Sequence, residues 1–405
     1  FGVAQKGEGL YWFSGIKLDT DQYGGLAFLS GWIYRYLSPD AHRPLLILIV
    51  GAFFAALGVP FLRQAVGLRW SSRAANLAAW IYVFYPDAVF FGSSQMREPM
   101  LVGLGAVAFW AVLSWNHPGH AGSRRWLVSL AALAAGLLGM AFFSLRVAVM
   151  VVGVLSVWFW LEFSASRTEP RWQALGWLGL AGGFLVMLAL TWGWFLDSAS
   201  YDIQLTIQRS GWLAKIIEEA GEQFALPILT VYGLAQPVLP AALTEVSIPL
   251  WQWIGIIRSI GWYALAPFLV YGLFTVWKEP LASRRRILIW LALAVCAWLL
   301  ISTLRGGGDQ TDNPRYRSLF IPWMALLAAW AIDRALAVRD PWLWRWIAVE
   351  GIFLGFFTHW YASRYLHIGG RLPFWLMLAW ILALSGLVLA GGWFYDRFRA
   401  RGRGM

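Results

Sequence analysis

Charge is scarce in this chain of 405 residues: Asp, Glu, Lys and Arg together make up 13%, against 60% hydrophobic residues. That balance excludes an ordinary soluble domain, whose surface needs about twice as much charge. Cysteine is nearly absent. Cys296 stands alone inside the apolar run 287–301, so neither an intrachain disulfide framework nor a cysteine-based metal site can form. No Ser-His-Asp order and no His-Glu-x-x-His motif stands out, which argues against soluble-type hydrolases and metalloproteases. The triple glycine Gly306-Gly307-Gly308 is not followed by Gly-Lys-Ser/Thr and no strand precedes it, so it is not a nucleotide-binding P-loop.

What the chain has is apolar length. A helix needs about 20 apolar residues to cross hydrocarbon, and such stretches recur at roughly 44–62, 73–92, 98–115, 126–145, 147–164, 174–195, 256–277, 286–302, 318–335, 346–361 and 373–394. The fold class is therefore all-α, a polytopic transmembrane bundle of about 10–12 helices forming a single transmembrane domain over 1–405. Segment 23–37 is apolar but short, and is expected as an interfacial or re-entrant helix closing a first outer loop at 1–43. The sequence holds 29 tryptophans, many at span ends (Trp70, Trp115, Trp126, Trp194, Trp277, Trp344), as in interfacial belts. The chain starts at Phe1 without Met or a cleavable leader pattern, and a preceding segment such as a first transmembrane helix is expected.

The net charge of +11 does not signal a nucleic-acid partner, because the basic residues punctuate the gaps between spans. With residues 1–43 outside, 18 of the 32 Lys and Arg residues fall in the short inner loops and the C-terminal tail. The positive-inside rule then makes the C-terminus cytoplasmic. Segment 196–255 becomes a large outer loop, whose part 201–224 is patterned as a surface amphipathic helix. This orientation gathers most of the unusual polar groups on the outer face.

Three constellations stand there. Asp19 and Asp21, in GIKLDTDQYGG, are a D-x-D pair that can hold a divalent cation such as Mg or Mn, or supply a general base without one; a solvated loop is the bland alternative. FYPDAVFFGSSQMREPM offers the carboxylates of Asp87 and Glu98 and the cation Arg97, with Glu98-Pro99 equally readable as a helix start. STLRGGGDQTDNPRYRSLFIP supplies Arg305, Arg315 and Arg317 beside a flexible glycine loop suited to an anion. Arg146 divides two apolar runs; at a helix centre it would cost about 2.5–3.5 kcal/mol, so it either lies at a loop or faces an acid or a phosphate. His359 and His367 are too few for a metal site, and Glu350 reads as a bundle-facing hydrogen-bond partner.

At these residues the chain resembles the GT-C superfamily of polytopic glycosyltransferases, which includes protein O-mannosyltransferases, aminoarabinose transferases and oligosaccharyltransferases. The likeness rests on Asp19 and Asp21 in the first outer loop, the short helix after them, the Arg97-Glu98 pair, and RYRSLFIP before a late helix. It implies an enzyme of the bacterial plasma membrane and cell envelope. Such an enzyme would move a sugar from a polyprenyl-phosphate donor to an acceptor on the outer face, with inversion. Asp19 or Asp21 would be the base and Glu98 a supporting acid, while Arg315 or Arg317 would bind the lipid phosphate. The acceptor, whether protein, glycan or lipid, stays open. The D-T-D pair replaces the adjacent acids of the O-mannosyltransferase type, and no large soluble C-terminal domain follows. The residues also leave room for an O-antigen-type polymerase or ligase, a transporter, or a non-catalytic subunit of a membrane complex.

Overall fold

In a computed structural model, the described residues are 24–115, 125–165, 169–209, 211–244, 248–307, 309 and 311–402. Among them the chain is an all-α polytopic bundle without strands. It opens with a short helix α1 (Gly24–Leu37), followed by α2 (Leu45–Gly67), α3 (Ser72–Phe84), α4 (Pro86–Gly92), α5 (Glu98–Trp115), α6 (Arg125–Phe143) and α7 (Leu145–Ser164). Next come α8 (Pro170–Arg209), α9 (Gly211–Ala220), α10 (Ala225–Leu234), α11 (Leu239–Thr244) and α12 (Pro249–Thr275). The chain closes with α13 (Ala282–Gly306), α14 (Asp312–Ser318), α15 (Ile321–Val338), α16 (Trp342–Tyr361) and α17 (Phe374–Gly402).

Nine of the described helices are long and apolar enough to cross a membrane, and α3 with α4 makes a tenth span bent by 55°. With no water in hydrocarbon, every backbone group must be paired internally, which is why these runs are helical throughout. α16 falls short in apolarity because it carries Arg345, Glu350 and several tryptophans, yet its 20 residues reach about 30 Å and it packs along α17. The protein is an integral membrane protein.

Successive spans run in opposite directions. One end of the bundle gathers the starts of α2, α5, α7, α12, α15 and α17; the other gathers their ends and most of the arginines. At that basic end Arg69 forms a forked ion pair with Glu162, Nε to Oε1 and Nη2 to Oε2 both at 2.9 Å, and Trp158 Nε1 donates to the same carboxylate at 3.1 Å. Arg345 and Asp396 tie α16 to α17 in the same bidentate way, at 2.6 and 2.8 Å.

The core is built on α5 and α15, which are packed on almost all sides. Because lipid is as apolar as leucine, close fit rather than water exclusion holds membrane helices together. Gly103 lets α5 press on the backbone at Phe54, and Gly136 and Gly139 let α6 close on Leu104 and Ala108. An aromatic ladder crosses the centre, from Trp298 stacked on Phe320 at 4.9 Å, to Trp323 at 4.4 Å, and through Phe109 to Trp158.

Three features differ from the sequence reading. The run 73–92 is not one straight span, because Pro86 starts a new helix after an extended Tyr85. The surface helix expected from residue 201 is instead the end of α8, a continuous 40-residue helix, and a separate helix begins only at Gly211. The span expected from 256 starts seven residues earlier, at Pro249, so Arg258 lies about two turns further from its start.

Candidate functional site

Many of the helices that begin at one end of the bundle carry a proline in their first turn, among them Pro86 in α4, Pro99 in α5, Pro249 in α12, Pro314 in α14 and Pro322 in α15. Proline suits a first turn because the N–H it lacks would have no partner inside the helix. Consequently several helix N-termini, each carrying partial positive charge, converge where α3 breaks into α4 and α14 breaks into α15. Five arginines and the carboxylates that pair with them fill the junction.

Asp87 is the inner node and is fully buried. Arg258 of α12 donates from Nε to its Oδ1 at 2.5 Å, Arg317 Nη2 stands 3.8 Å from Oδ2, and the Tyr85 hydroxyl donates to Oδ2 at 3.2 Å. Arg317 is itself 1% exposed, and its guanidinium lies 3.6 Å over the Trp262 ring. A desolvated cation over indole is stabilised by about 2 kcal/mol or more. Gly261 makes this approach possible: a Cβ there would collide with the Pro86 ring, so α12 comes close enough for Arg258 to reach across to Asp87.

Glu98 is the second node, 1% exposed at the start of α5. Arg315 Nε donates to its Oε1 at 2.5 Å, while Arg315 Nη1 lies 3.5 Å from Asp312. Burial works against the charge on Arg315, yet the Glu98 carboxylate and its hydrogen bond outweigh it and hold the guanidinium pKa above its ordinary value. Arg97 goes the other way: burial lowers its pKa, opposed by Glu98 and reinforced by the neighbouring cations Arg315 and Arg305. Tyr316 lies under two of these groups, with Arg305 at 5.4 Å and Arg315 at 5.7 Å from its ring.

Hydrogen bonds to the backbone fix α14, which carries Arg315 and Arg317. Asn313 Nδ2 donates to Gly233 O at 2.9 Å and to Gly307 O at 2.8 Å, joining α10, the end of α13 and α14. Gly307, at φ 50°, turns the chain there in a conformation that favours glycine. Asp309 Oδ1 accepts from the N–H groups of Thr311 and Asp312, and Trp298 Nε1 donates to Tyr316 O.

Among the described residues, five guanidinium groups (Arg97, Arg258, Arg305, Arg315, Arg317) meet here, and Asp87, Glu98 and Asp312 form ion pairs with Arg258, Arg315 and Arg317. Arg258 Nη2, Arg317 Nε and Glu98 Oε2 are buried without a hydrogen-bond partner. Unpaired buried donors are costly, and an anion such as phosphate would satisfy them.

The structure thus brings Arg97, Glu98, Arg305, Arg315 and Arg317 into one cluster. Arg146 stands at the same end, exposed in the first turn of α7 after an extended Ser144. Asp19 and Asp21, as base or as metal ligands, lie outside the described residues, which begin at Gly24. Among the described residues, no group of three His, Cys, Asp or Glu side chains could hold a metal ion. Arg258 was missed from the sequence. Its signal was available, since an arginine inside an apolar span demands a partner, and Asp87 is that partner.

No family model matches the chain, and no curated protein matches it. Among solved structures it is similar to the archaeal oligosaccharyltransferase AglB from Archaeoglobus fulgidus, in complex with an inhibitory peptide and a dolichol-phosphate, at 13% identity and a TM-score of 0.37. The match covers 91% of this chain and 46% of that one, so the chain spans about half of that protein's length. At that TM-score the likeness assigns neither a family nor an activity.

Proposed function

We propose that the protein is a membrane glycosyltransferase that takes a sugar from a polyprenyl-phosphate donor, with the arginine cluster holding the donor phosphate. The observation that carries this reading is the convergence of five arginines at one end of the bundle, with Arg258 Nη2 and Arg317 Nε buried and unpartnered. An amphipathic phosphate fits such a place, its chain in the bilayer and its head among arginines. Arg315 and Arg317 contact the phosphate in this reading, and Arg97 and Arg305 add positive potential; Arg146 borders the approach.

In the reaction, a hydroxyl or amine of the acceptor attacks the anomeric carbon from the face opposite the phosphate. The carbon–oxygen bond to phosphate breaks, the configuration inverts, and the polyprenyl phosphate leaves with the bonding electrons. The acceptor proton passes to Asp19 or Asp21, with the other carboxylate as its partner. Alternatively, both carboxylates would hold Mg2+ or Mn2+, which would supply charge stabilisation at the leaving phosphate. Glu98 supports the acid–base work from within the cluster. The arginines stabilise the charge that develops on the leaving phosphate. The site end faces outward and the C-terminus is cytoplasmic, as the arginines of the basic end favour; a bacterial plasma membrane is the setting.

Transfer from a radiolabelled polyprenyl-phosphate sugar by the purified protein tests this, comparing the wild type with Asp19→Asn and Asp21→Asn. Label should reach an acceptor with the wild type and fall by about 100-fold or more in at least one variant. Undiminished transfer in both would reject the base assignment; no transfer from any such donor would reject the reading. An O-antigen-type polymerase or ligase is the second reading, favoured by the weight of arginines in the α14 segment, and it predicts transfer that survives both substitutions.

A further inference from the structure

Between α2, the α3–α4 break and α5 lies a cavity of about 310 Å3. Its walls are apolar and small on the α2 side, where Ala55 and Ala56 leave width, and β-branched on the other, where Val83 and Val89 are 37% and 56% exposed on the outer surface of the bent span. The cavity therefore reaches the surface that faces lipid. At its polar end are Glu98, Ser93 and Ser318.

Those three groups share a chemical character. Ser93 Oγ donates its proton to Phe90 O at 3.1 Å and Ser318 Oγ donates to Arg315 O at 2.7 Å, so each hydroxyl has only acceptor capacity left. Glu98 gives Oε1 to Arg315, while Oε2 is buried and has no partner. The polar end thus presents acceptors alone. A carboxylate and two hydroxyl lone pairs repel an anionic head and attract one that donates a hydrogen bond. The neighbouring arginine cluster has the opposite character, rich in donors and suited to phosphate.

We propose that this cavity binds the hydrocarbon chain of a neutral or cationic amphiphile whose hydroxyl or amine donates to Glu98, and that this amphiphile is the acceptor. The identification as acceptor rests on the glycosyltransferase reading; the binding does not. Glu98 then stands between two substrates, its Oε1 held by the phosphate-binding Arg315 and its Oε2 available to the acceptor. The acceptor is a membrane lipid that arrives sideways from the bilayer.

Photolabelling of the purified full chain, without any sugar donor, tests the binding. Three probes carry the same diazirine-bearing C16 chain and end in an alcohol, an amine or a phosphate. The alcohol or the amine should label α2, α3 or α5 around the cavity at least 10-fold more than the phosphate does, and unlabelled long-chain alcohol should compete. Filling the cavity with Ala55→Leu, or with Ala56→Leu should the first fail to fold, should reduce that labelling about 10-fold while the thermal midpoint stays near that of the wild type. Labelling independent of the head group, or unchanged by the filling substitutions, would mean ordinary bilayer contact and overturn the proposal, as would preference for the phosphate. Cavity labelling with no transfer of sugar to the same alcohol would leave the binding site standing and refute its role as acceptor site.

Discussion

Arg258 and Asp87 are 171 residues apart in sequence and meet at 2.5 Å in a place neither could occupy alone, with Asp87 fully buried and the Arg258 side chain 8% exposed. A lone buried charge in a membrane bundle is costly, so each residue makes the other tolerable. Their pairing also locks the α3–α4 break against α12, which positions Arg317 between Asp87 and Trp262.

Removing one partner of such a pair leaves the other uncompensated. Asp87→Asn should destabilise the fold by about 3–5 kcal/mol, read as a fall in thermal midpoint in detergent. Adding Arg258→Met should recover part of that loss, because the stranded cation is gone. Equal or additive destabilisation in the double variant would show that the two side chains are not coupled.

Gly261 is where α12 meets the Pro86 ring with no room for a Cβ. Gly261→Ala should push the helix away and cost about 1–3 kcal/mol by overpacking, with weaker lipid-phosphate binding because Arg258 loses its reach. Gly351→Ala, at a position with nothing within 4 Å of an added Cβ, is the matched control and should leave both properties unchanged. Thermal midpoint and phosphate affinity of the two variants decide the matter.

Orientation can be read chemically. In a Cys296→Ala background, a cysteine replacing Asp312, half exposed at the site end, should react with an impermeant maleimide from outside intact cells. One replacing Arg339, at the α15–α16 turn on the basic end, should react only after permeabilisation. The reverse pattern would place the arginine cluster in the cytoplasm.

The helices were legible because membrane spans announce themselves by apolar length, and the apolar runs near 98–115 and 318–335 correspond to α5 and α15. The long α8 was not, because polarity rises after Asp197 while the backbone stays helical to Arg209; composition marks where lipid ends, not where hydrogen bonding ends. Arg97, Glu98, Arg315 and Arg317 were visible as charges at span ends. Their partners were not: the Arg258–Asp87 pairing and the Asn313 bridge between α10 and α13 depend on helix packing, which local pattern does not encode. Gly233 and Gly306 leave space for Asn313, a fit that depends on the same packing.

Affinity for a polyprenyl phosphate, measured on the purified protein against the matching polyprenol, tests the central claim most directly. Wild type should bind the phosphate, and Arg315→Gln and Arg317→Gln should each weaken that binding by about 10- to 100-fold, a loss of roughly 1.4–2.7 kcal/mol. Binding of the polyprenol should change by less than about 3-fold in both variants. Phosphate affinity that is absent in the wild type, or untouched by both substitutions, would contradict the assignment of the arginine cluster to the donor phosphate.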